Sequence, residues 1–182
     1  ISELRKWNAD RLKTDKMPVG MGVGVNTDNV VTGNIGSSKR MDFTMIGDGV
    51  NLAARLEGSC KTYGAQIIIS EFTQTKLKGI YALRELDRIV VKGKTEPVSI
   101  FEVLDFHDDE TFPARMDVVG HFTEGLAHYR NTKFDDAIRS FKAALDANSE
   151  DVPSKLYIER CELFKKSPPP KDWSGEWVMT EK

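Results

Sequence analysis

The chain has 182 residues, 40% of them hydrophobic and 30% charged, with a formal net charge of −2 at pH 7. This length and apolar share predict one packed domain with or without an appendage, and the small net charge excludes bulk attraction to nucleic acid or an anionic membrane. We find no apolar run near the roughly 20 residues that span a bilayer and no signal peptide, and two isolated cysteines favour a cytoplasmic protein.

The N-terminal residues predict one helix followed by a β-hairpin. Apolar residues recur loosely at helical spacing over residues 4–12, and Pro18 stops the pattern. In residues 19–25 apolar and small residues alternate, as in a half-buried strand. A cluster of turn residues at 26–29 leads to a second short strand at 30–33, so the two strands are predicted to pair.

A second helix is predicted after a further strand at residues 42–47. Asp48 is its candidate N-cap, and Gly58 or Gly64 its candidate end. A buried strand, "AQIIIS", then precedes a short helix capped by Ser70. Two further strands flank the turn "KGKTE". This mixed order predicts an α+β sandwich with helices on one face of a largely antiparallel sheet.

The composition changes after Leu104, which divides the chain into segments 1–104 and 105–182. An acidic linker, "DFHDDETFP", precedes two predicted helices at about 114–130 and 134–147. These helices resemble one tetratricopeptide repeat, and a third, "VPSKLYIERCELF", is expected to cover their open face. One repeat cannot bury a solenoid core, so we expect a docked helical appendage that ends in a stiff, Pro-rich tail with two tryptophans available for packing.

Several motifs point away from common phosphate and metal sites. Gly20, Gly22 and Gly24 lie within a strand and no helix opens on them, so they favour close backbone approach over a dinucleotide fingerprint. The stretch "GNIGSSKR" lacks the Gly-Lys-Ser/Thr ending of a Walker loop. His121 and His128 lie two turns apart on a predicted helix, and we interpret them as part of a solvated helix face and not as a metal site.

One polar pair stands out in the otherwise apolar stretch "MIGDGVNLAARLEG". Asn51 and Arg55 are four residues apart, which places them on one face of a helix. The guanidinium fork suits phosphate, and the amide offers a neutral donor; a solvated polar stripe is the alternative. Lys92 and Lys94 flank a glycine in a predicted turn, which is either a charged hairpin or, if it faces Arg55, part of a polyphosphate clamp.

Two stretches carry a resemblance to a known family. "VGMGVGVNTDNVVTGNIGSSKRMDFTMIGDGVNLAARLE" and "VKGKTEPVSIFEV" resemble the class III nucleotidyl cyclases, especially the bacterial and soluble adenylyl cyclase type, over about residues 17–104. The segment after residue 105 looks like the C-terminal extension of cyanobacterial members. The resemblance implies a ferredoxin-like cyclase sandwich that converts ATP to 3′,5′-cyclic AMP and pyrophosphate for intracellular signalling. Its active sites would lie at the interface of a head-to-tail homodimer.

The same resemblance implies roles for four residues. Asn51 would orient the ribose and its attacking 3′-oxygen, and Arg55 would neutralise charge on the α-phosphate. Lys92 would hold the outer phosphates. Thr44 falls at the family's purine-reading position, where its hydroxyl can accept from the adenine amino group; a β-favouring residue in a strand is the alternative.

The sequence departs from the family at the metal site. The strand "F-x-D-I-x-G-F-T" and the later "G-D" hairpin are absent, and Asp42 and Asp48 do not match the metal ligands. We therefore expect Mg²⁺ (or Mn²⁺) to be held by a partner subunit, this chain to be inactive alone, and its opening Ile1 to mark a piece of a longer protein. The alternative is a non-catalytic interaction module in which the repeat-like helices bind a partner.

Overall fold

The computed structural model describes residues 1–37, 40–90 and 96–178. Its helices are α1 (Ser2–Leu12), α2 (Asp48–Tyr63), α3 (Glu71–Gln74), α4 (Arg115–Arg130), α5 (Phe134–Ala147) and α6 (Val152–Lys166). Its strands are β1 (Val23–Val25), β2 (Val31–Ser37), β3 (Arg40–Ile46), β4 (Ile67–Ser70), β5 (Leu83–Val90), β6 (Val98–Val103) and β7 (Trp177–Val178).

Five strands form one mixed sheet in the order β1-β4-β6-β5-β7. The pairs β4/β6 and β5/β6 are antiparallel, whereas β1/β4 and β5/β7 are parallel. The expectation of a largely antiparallel sheet is therefore wrong in half of the pairings. The reason lies in the connections, because a crossover containing α2 separates β1 from β4, and parallel neighbours require such a crossover.

The predicted hairpin between residues 19–25 and 30–33 is also wrong. Val23–Val25 pairs with β4, whereas β2 pairs with β3 in a separate two-stranded ribbon. The intervening turn residues hold the second helix instead of joining two paired strands, since the Asn26 amide donates to the carbonyl oxygen of Gly49 at 3.1 Å.

The main core lies between the sheet and α2. The apolar stripe of α2 packs against side chains of β4, β5 and β6, and Leu156 of α6 packs against the same cluster. The buried members are Leu52, Leu56, Cys60, Tyr63, Ala65, Ile68, Leu86, Ile89, Val98 and Ile100. Both helices thus contribute to one core, as expected for helices on one face of a sheet.

Two helix boundaries follow from identifiable caps. Gly64 ends α2 with φ of 64°, a left-handed conformation that glycine adopts without strain, so of the two predicted ends Gly64 is correct. The N-cap of α2 is Gly47 and no side chain caps it, which corrects the prediction for Asp48; that residue lies in the first turn. Ser70 caps α3 as predicted, its hydroxyl accepting from the Thr73 amide at 3.2 Å.

The C-terminal helices form a second, aromatic core. Helices at about the predicted positions are confirmed, and the apolar stripe of α5 buries Ala137, Ile138, Phe141 and Ala144. Phe122 of α4 and Tyr157 of α6 pack around Phe141. The resemblance to a tetratricopeptide repeat stays a prediction.

The Pro-rich tail packs back onto the molecule instead of projecting from it. Trp173 packs against the aromatic core, and Trp177 starts β7, which extends the sheet beside β5. None of the helices in the described ranges combines the length and apolarity that crossing a membrane requires.

Candidate active site

The predicted catalytic pair lies on one accessible flank of α2. The other side of this helix carries Leu52, Leu56 and Cys60, whose buried side chains pack against the sheet. Asn51 is exposed and Arg55 is half-buried, one turn apart. The structure therefore places both side chains at the edge of the buried stripe, where they can meet a ligand while the helix stays packed.

Small residues widen the space beside the pair. Ala54 and Gly58 are both exposed on α2, within one turn of Asn51 or Arg55. A Cβ added to Gly58 would have no heavy atom within 4 Å, so the surface there is open. This flank can thus accept a second chain or a nucleotide close to the helix backbone.

Glycines in β1 and just before it set how closely α2 lies on the sheet. A Cβ on Gly24 would overlap the carbonyl oxygen of Ala53 and the amide nitrogen of Glu57. A Cβ on Gly22 would lie 3.0 Å from the Cβ of Cys60. The predicted close approach is therefore confirmed for Gly22 and Gly24, where it holds the middle of α2 over β1, but not for Gly20, where an added Cβ would have no heavy atom within 4 Å.

The first turn of α2 is held by the preceding loop. The Asn26 amide bonds the carbonyl oxygen of Gly49, and a Cβ on Gly49 would overlap the side chain of Asp28. Asn26 is fixed in turn because the Ser70 hydroxyl donates to its side-chain oxygen at 2.6 Å. The backbone around Asn51 is thus anchored to two parts of the fold.

Thr44 lies on β3, the strand that leads into α2. It is half-buried and sits opposite Gly33 of β2. Because a Cβ on Gly33 would have no heavy atom within 4 Å, the position across from Thr44 is open. The threonine hydroxyl therefore has room to meet a ligand on this face of the ribbon.

The other predicted residues have different outcomes. Lys92 and its turn lie outside the described residues. Asp42 lies on β3 and Asp48 in the first turn of α2. In the described ranges, no group of three or more His, Cys, Asp or Glu residues is arranged to hold a metal ion. The described residues therefore do not form a metal site of their own.

Sequence reasoning missed a set of buried charges beside α2. Asp87 of β5 and Arg160 of α6 are 1% and 4% exposed at the side chain, and they pair at 2.6 Å. The Tyr63 hydroxyl, at the end of α2, donates to the same carboxylate oxygen at 2.5 Å. Burial, followed by the charge of Asp87, raises the pKa of Tyr63 well above its usual value, so the hydroxyl keeps its proton.

A second buried network starts from Arg84, which precedes Asp87 on the same strand, β5. Arg84 of β5 pairs with Glu102 of β6 and with Asp151, the N-cap of α6, both at 2.6 Å. All three side chains are nearly inaccessible. The signal for both networks was present in "LRELDRIV", where charged residues occupy positions of a strand that should be apolar on its core face.

Comparison with known proteins identifies the family of this chain. The sequence model for the adenylate and guanylate cyclase catalytic domain matches residues 4–104. An adenylate cyclase of Dictyostelium discoideum, described as terminal-differentiation specific, is 34% identical over 146 residues, covering 79% of this chain and 7% of that protein. An adenylate cyclase of Anabaena cylindrica is 41% identical over 107 residues, covering 55% of this chain and 21% of that protein.

The Dictyostelium alignment is too long to end at residue 104, so it includes part of the C-terminal helices. The chain spans less than a quarter of the length of these two relatives. Among solved structures, the adenylyl cyclase CyaB from P. aeruginosa is 33% identical with a TM-score of 0.49, covering 59% of this chain and 55% of that one. Since the family model matches more than half of the sequence, this chain belongs to the class III adenylate and guanylate cyclase catalytic domain family.

Proposed function

We propose that this chain forms one half of an adenylate cyclase site, the half that stabilises the transition state. The observation that carries the proposal is the position of Asn51 and Arg55 together on the accessible flank of α2, in a chain of the cyclase family. The open surface at Gly58 leaves room for a partner subunit and its nucleotide.

The reaction needs few protein groups, because positioning and charge stabilisation supply most of the catalysis. The ribose 3′-oxygen bonds to the α-phosphorus and loses its proton to water. The bond from that phosphorus to the oxygen that bridges it to the β-phosphorus breaks, and pyrophosphate leaves with the electron pair. Arg55 donates to the α-phosphoryl oxygens as negative charge grows on them. Asn51 orients the ribose, and Lys92 holds the outer phosphates.

A divalent ion, Mg²⁺ or Mn²⁺, would supply Lewis-acid stabilisation of the phosphates. The described residues of this chain hold no cluster for it. We assign its ligands to the metal-binding strands that precede the matched residues in the family, carried by the partner subunit of a head-to-tail homodimer of such a longer chain. It follows that the chain alone is inactive and that activity requires a subunit bearing those ligands. We place this activity in cytoplasmic signalling.

ATP is the proposed substrate because Thr44 offers a hydroxyl acceptor on the strand before α2. The open position opposite it, at Gly33, leaves space for a purine edge. The exocyclic amine of adenine donates to such a hydroxyl.

The proposal is tested by substitution in a protein that we call the metal-bearing partner, which is this chain preceded by the metal-binding strands of the family. Replacing Arg55 or Asn51 by alanine should lower kcat about 100-fold or more, because each donor acts mainly in the transition state. The measurement is the rate of cyclic AMP formation at saturating ATP.

The matched control is Lys61→Ala, an exposed residue nearer the end of the same helix. It should leave kcat and the circular dichroism spectrum unchanged. Normal kcat in folded Arg55→Ala and Asn51→Ala proteins would refute the assignment of the pair.

A further inference from the structure

Three elements meet at one buried carboxylate, that of Asp87 on β5. Its Oδ2 accepts from the Tyr63 hydroxyl at 2.5 Å and from Arg160 Nη1 at 2.6 Å. Arg160 Nη2 also donates to the Tyr63 hydroxyl oxygen at 3.3 Å. A residue of the C-terminal helices thus bonds directly to the last residue of α2, the helix that carries Asn51 and Arg55.

The same end of α2 contacts the C-terminal segment at a second point, the start of α6. A Cβ on Gly64 would lie 2.7 Å from the Cβ of Val152, so the start of α6 lies against the C-cap of α2. Trp177 of β7 covers the Arg160 guanidinium, whose carbon lies 4.0 Å from the ring centroid. The end of α2 therefore contacts α6, and β7 packs on Arg160 beside that contact.

The position of this contact along α2 allows it to affect the candidate site, because a displacement at Tyr63 would tilt the helix. The helix rests on Gly24 between Ala53 and Glu57, where backbone meets backbone. With a rise of about 1.5 Å per residue, Tyr63 lies about 12 Å from Arg55 and Asn51 about 6 Å on the other side. A helix that tilts about this support by about 1 Å at Tyr63 would move Asn51 by about half as much.

Displacements of this size matter for catalysis. A misplacement of about 1 Å can lower a rate by about 100-fold, and productive geometry must hold within about 0.5 Å. We infer that Arg160 is a positioning residue for the cyclase site, because its bonds to Asp87 and Tyr63 fix the tilt of α2 and with it the position of Asn51 relative to Arg55. The inference rests on the proposed function of that pair.

A purely structural role is the competing explanation, in which Arg160 only attaches the tail. The chain offers a matched control for it. Arg130 of α4 also links the tail to β5, pairing with Glu85 at 2.7 Å, but this pair includes no residue of α2. An attachment role predicts effects confined to the C-terminal segment for both arginines, of which Arg160 is the more buried, whereas positioning predicts an effect on α2 from Arg160 alone.

The first measurement is amide hydrogen exchange on the 182-residue chain, which needs no partner or substrate. Arg160→Met should raise exchange in residues 50–58 of α2 about tenfold more than in β6, and Arg130→Met should not. If Arg160→Met does not fold, Tyr63→Phe tests the same inference, because it removes only the hydroxyl that bonds Asp87 and Arg160. This substitution should raise exchange in α2 in the same pattern. An increase confined to the tail, or equal increases in α2 and β6, would overturn the inference.

The second measurement is kcat and KM for ATP in a mixture of this chain with a metal-bearing partner that carries Arg55→Ala. Arg160→Met in this chain should lower kcat about tenfold or more with little change in KM, and Arg160→Lys, which keeps the charge, should recover part of the loss. Equal kcat for Arg160→Met and Arg130→Met would refute the positioning role. An unsubstituted chain that gives no activity would instead refute the proposed function, and the exchange result would still decide whether Arg160 controls α2.

Discussion

Two buried arginines, Arg84 and Arg160, join elements that are distant in sequence. Arg84 bonds a neighbouring strand and the N-cap of α6, and Arg160 bonds β5 and the end of α2. Burial alone would lower the pKa of Arg160, but Asp87 and two tyrosines raise it instead, so the charge persists. Removing one member of such a pair leaves an uncompensated buried charge, so each pair should be sensitive to substitution of either partner.

Thr44 is the residue at which base choice can be tested. The matched substitutions in the metal-bearing partner are Thr44→Val, which keeps the β-branched shape, and Thr44→Ser, which keeps the hydroxyl. We expect the unsubstituted protein and the serine variant to prefer ATP over GTP, and the valine variant to lose about tenfold of that preference, the value of one hydrogen bond. The measurement is kcat/KM for each nucleotide. A preference for GTP in the unsubstituted protein would contradict the proposed role of Thr44.

At the scale of elements, sequence periodicity identified nearly every helix and strand but not the partner of each strand. The helix at 134–147 and the capped helix after Ser70 follow from local signals, an apolar stripe and a hydroxyl at the N-cap. Strand pairing depends on distant segments, so residues 23–25 looked able to pair with the next strand along the chain. The parallel pairing with β4 depends on the crossover through α2, which brings the two strands side by side, and no local sequence pattern specifies it.

The contact between α4 and α5 gives a test of the C-terminal core. Phe141 is fully buried, and a Cβ on Gly125 of α4 would lie 2.5 Å from its ring, so the two helices meet without spare volume. Phe141→Ala should lower the free energy of unfolding by about 3–5 kcal/mol, because it removes a buried ring and leaves a cavity. Urea denaturation followed by circular dichroism measures this change.

The control for that substitution is Leu163→Ala in α6, where the side chain is 51% exposed. Its loss should be within about 0.5 kcal/mol, as for most surface positions. Equal losses at Phe141 and Leu163 would show that the C-terminal helices are loosely packed.

At the scale of the whole molecule, the candidate site was predictable in part. The spacing of Asn51 and Arg55 predicted a shared helix face, and the alternating glycines predicted close approach of a strand. The C-terminal segment was expected to dock, but its bonds to the end of α2 were not foreseen, since Tyr63 and Arg160 are 97 residues apart and no local pattern links them. In the sequence, a buried ion pair between distant elements appears only as two charged residues at positions where apolar residues are expected, and nothing indicates that the two are partners.

The division of the site between subunits is the most general prediction, and it is tested by mixing. This chain alone should form no cyclic AMP with Mg²⁺ or Mn²⁺, because the proposed metal ligands lie on the partner. Mixed with a metal-bearing partner that carries Arg55→Ala, it should restore activity, since the mixed dimer then contains one intact set of metal ligands facing one intact Asn51, Arg55 and Lys92. Mixed with a partner whose metal-binding aspartates are replaced, it should restore none.

The two mixtures are controls for each other, because both partners can dimerise and only one can complete a site. Circular dichroism must first show that the chain is folded, since the β2–β3 ribbon exposes Val31, Phe43 and Met41 at 75%, 71% and 61%. Side chains of this kind favour association, so gel filtration of each mixture should precede the assay. Rescue of both partners, or of neither by a folded chain that dimerises, would reject the divided site and favour a non-catalytic interaction module.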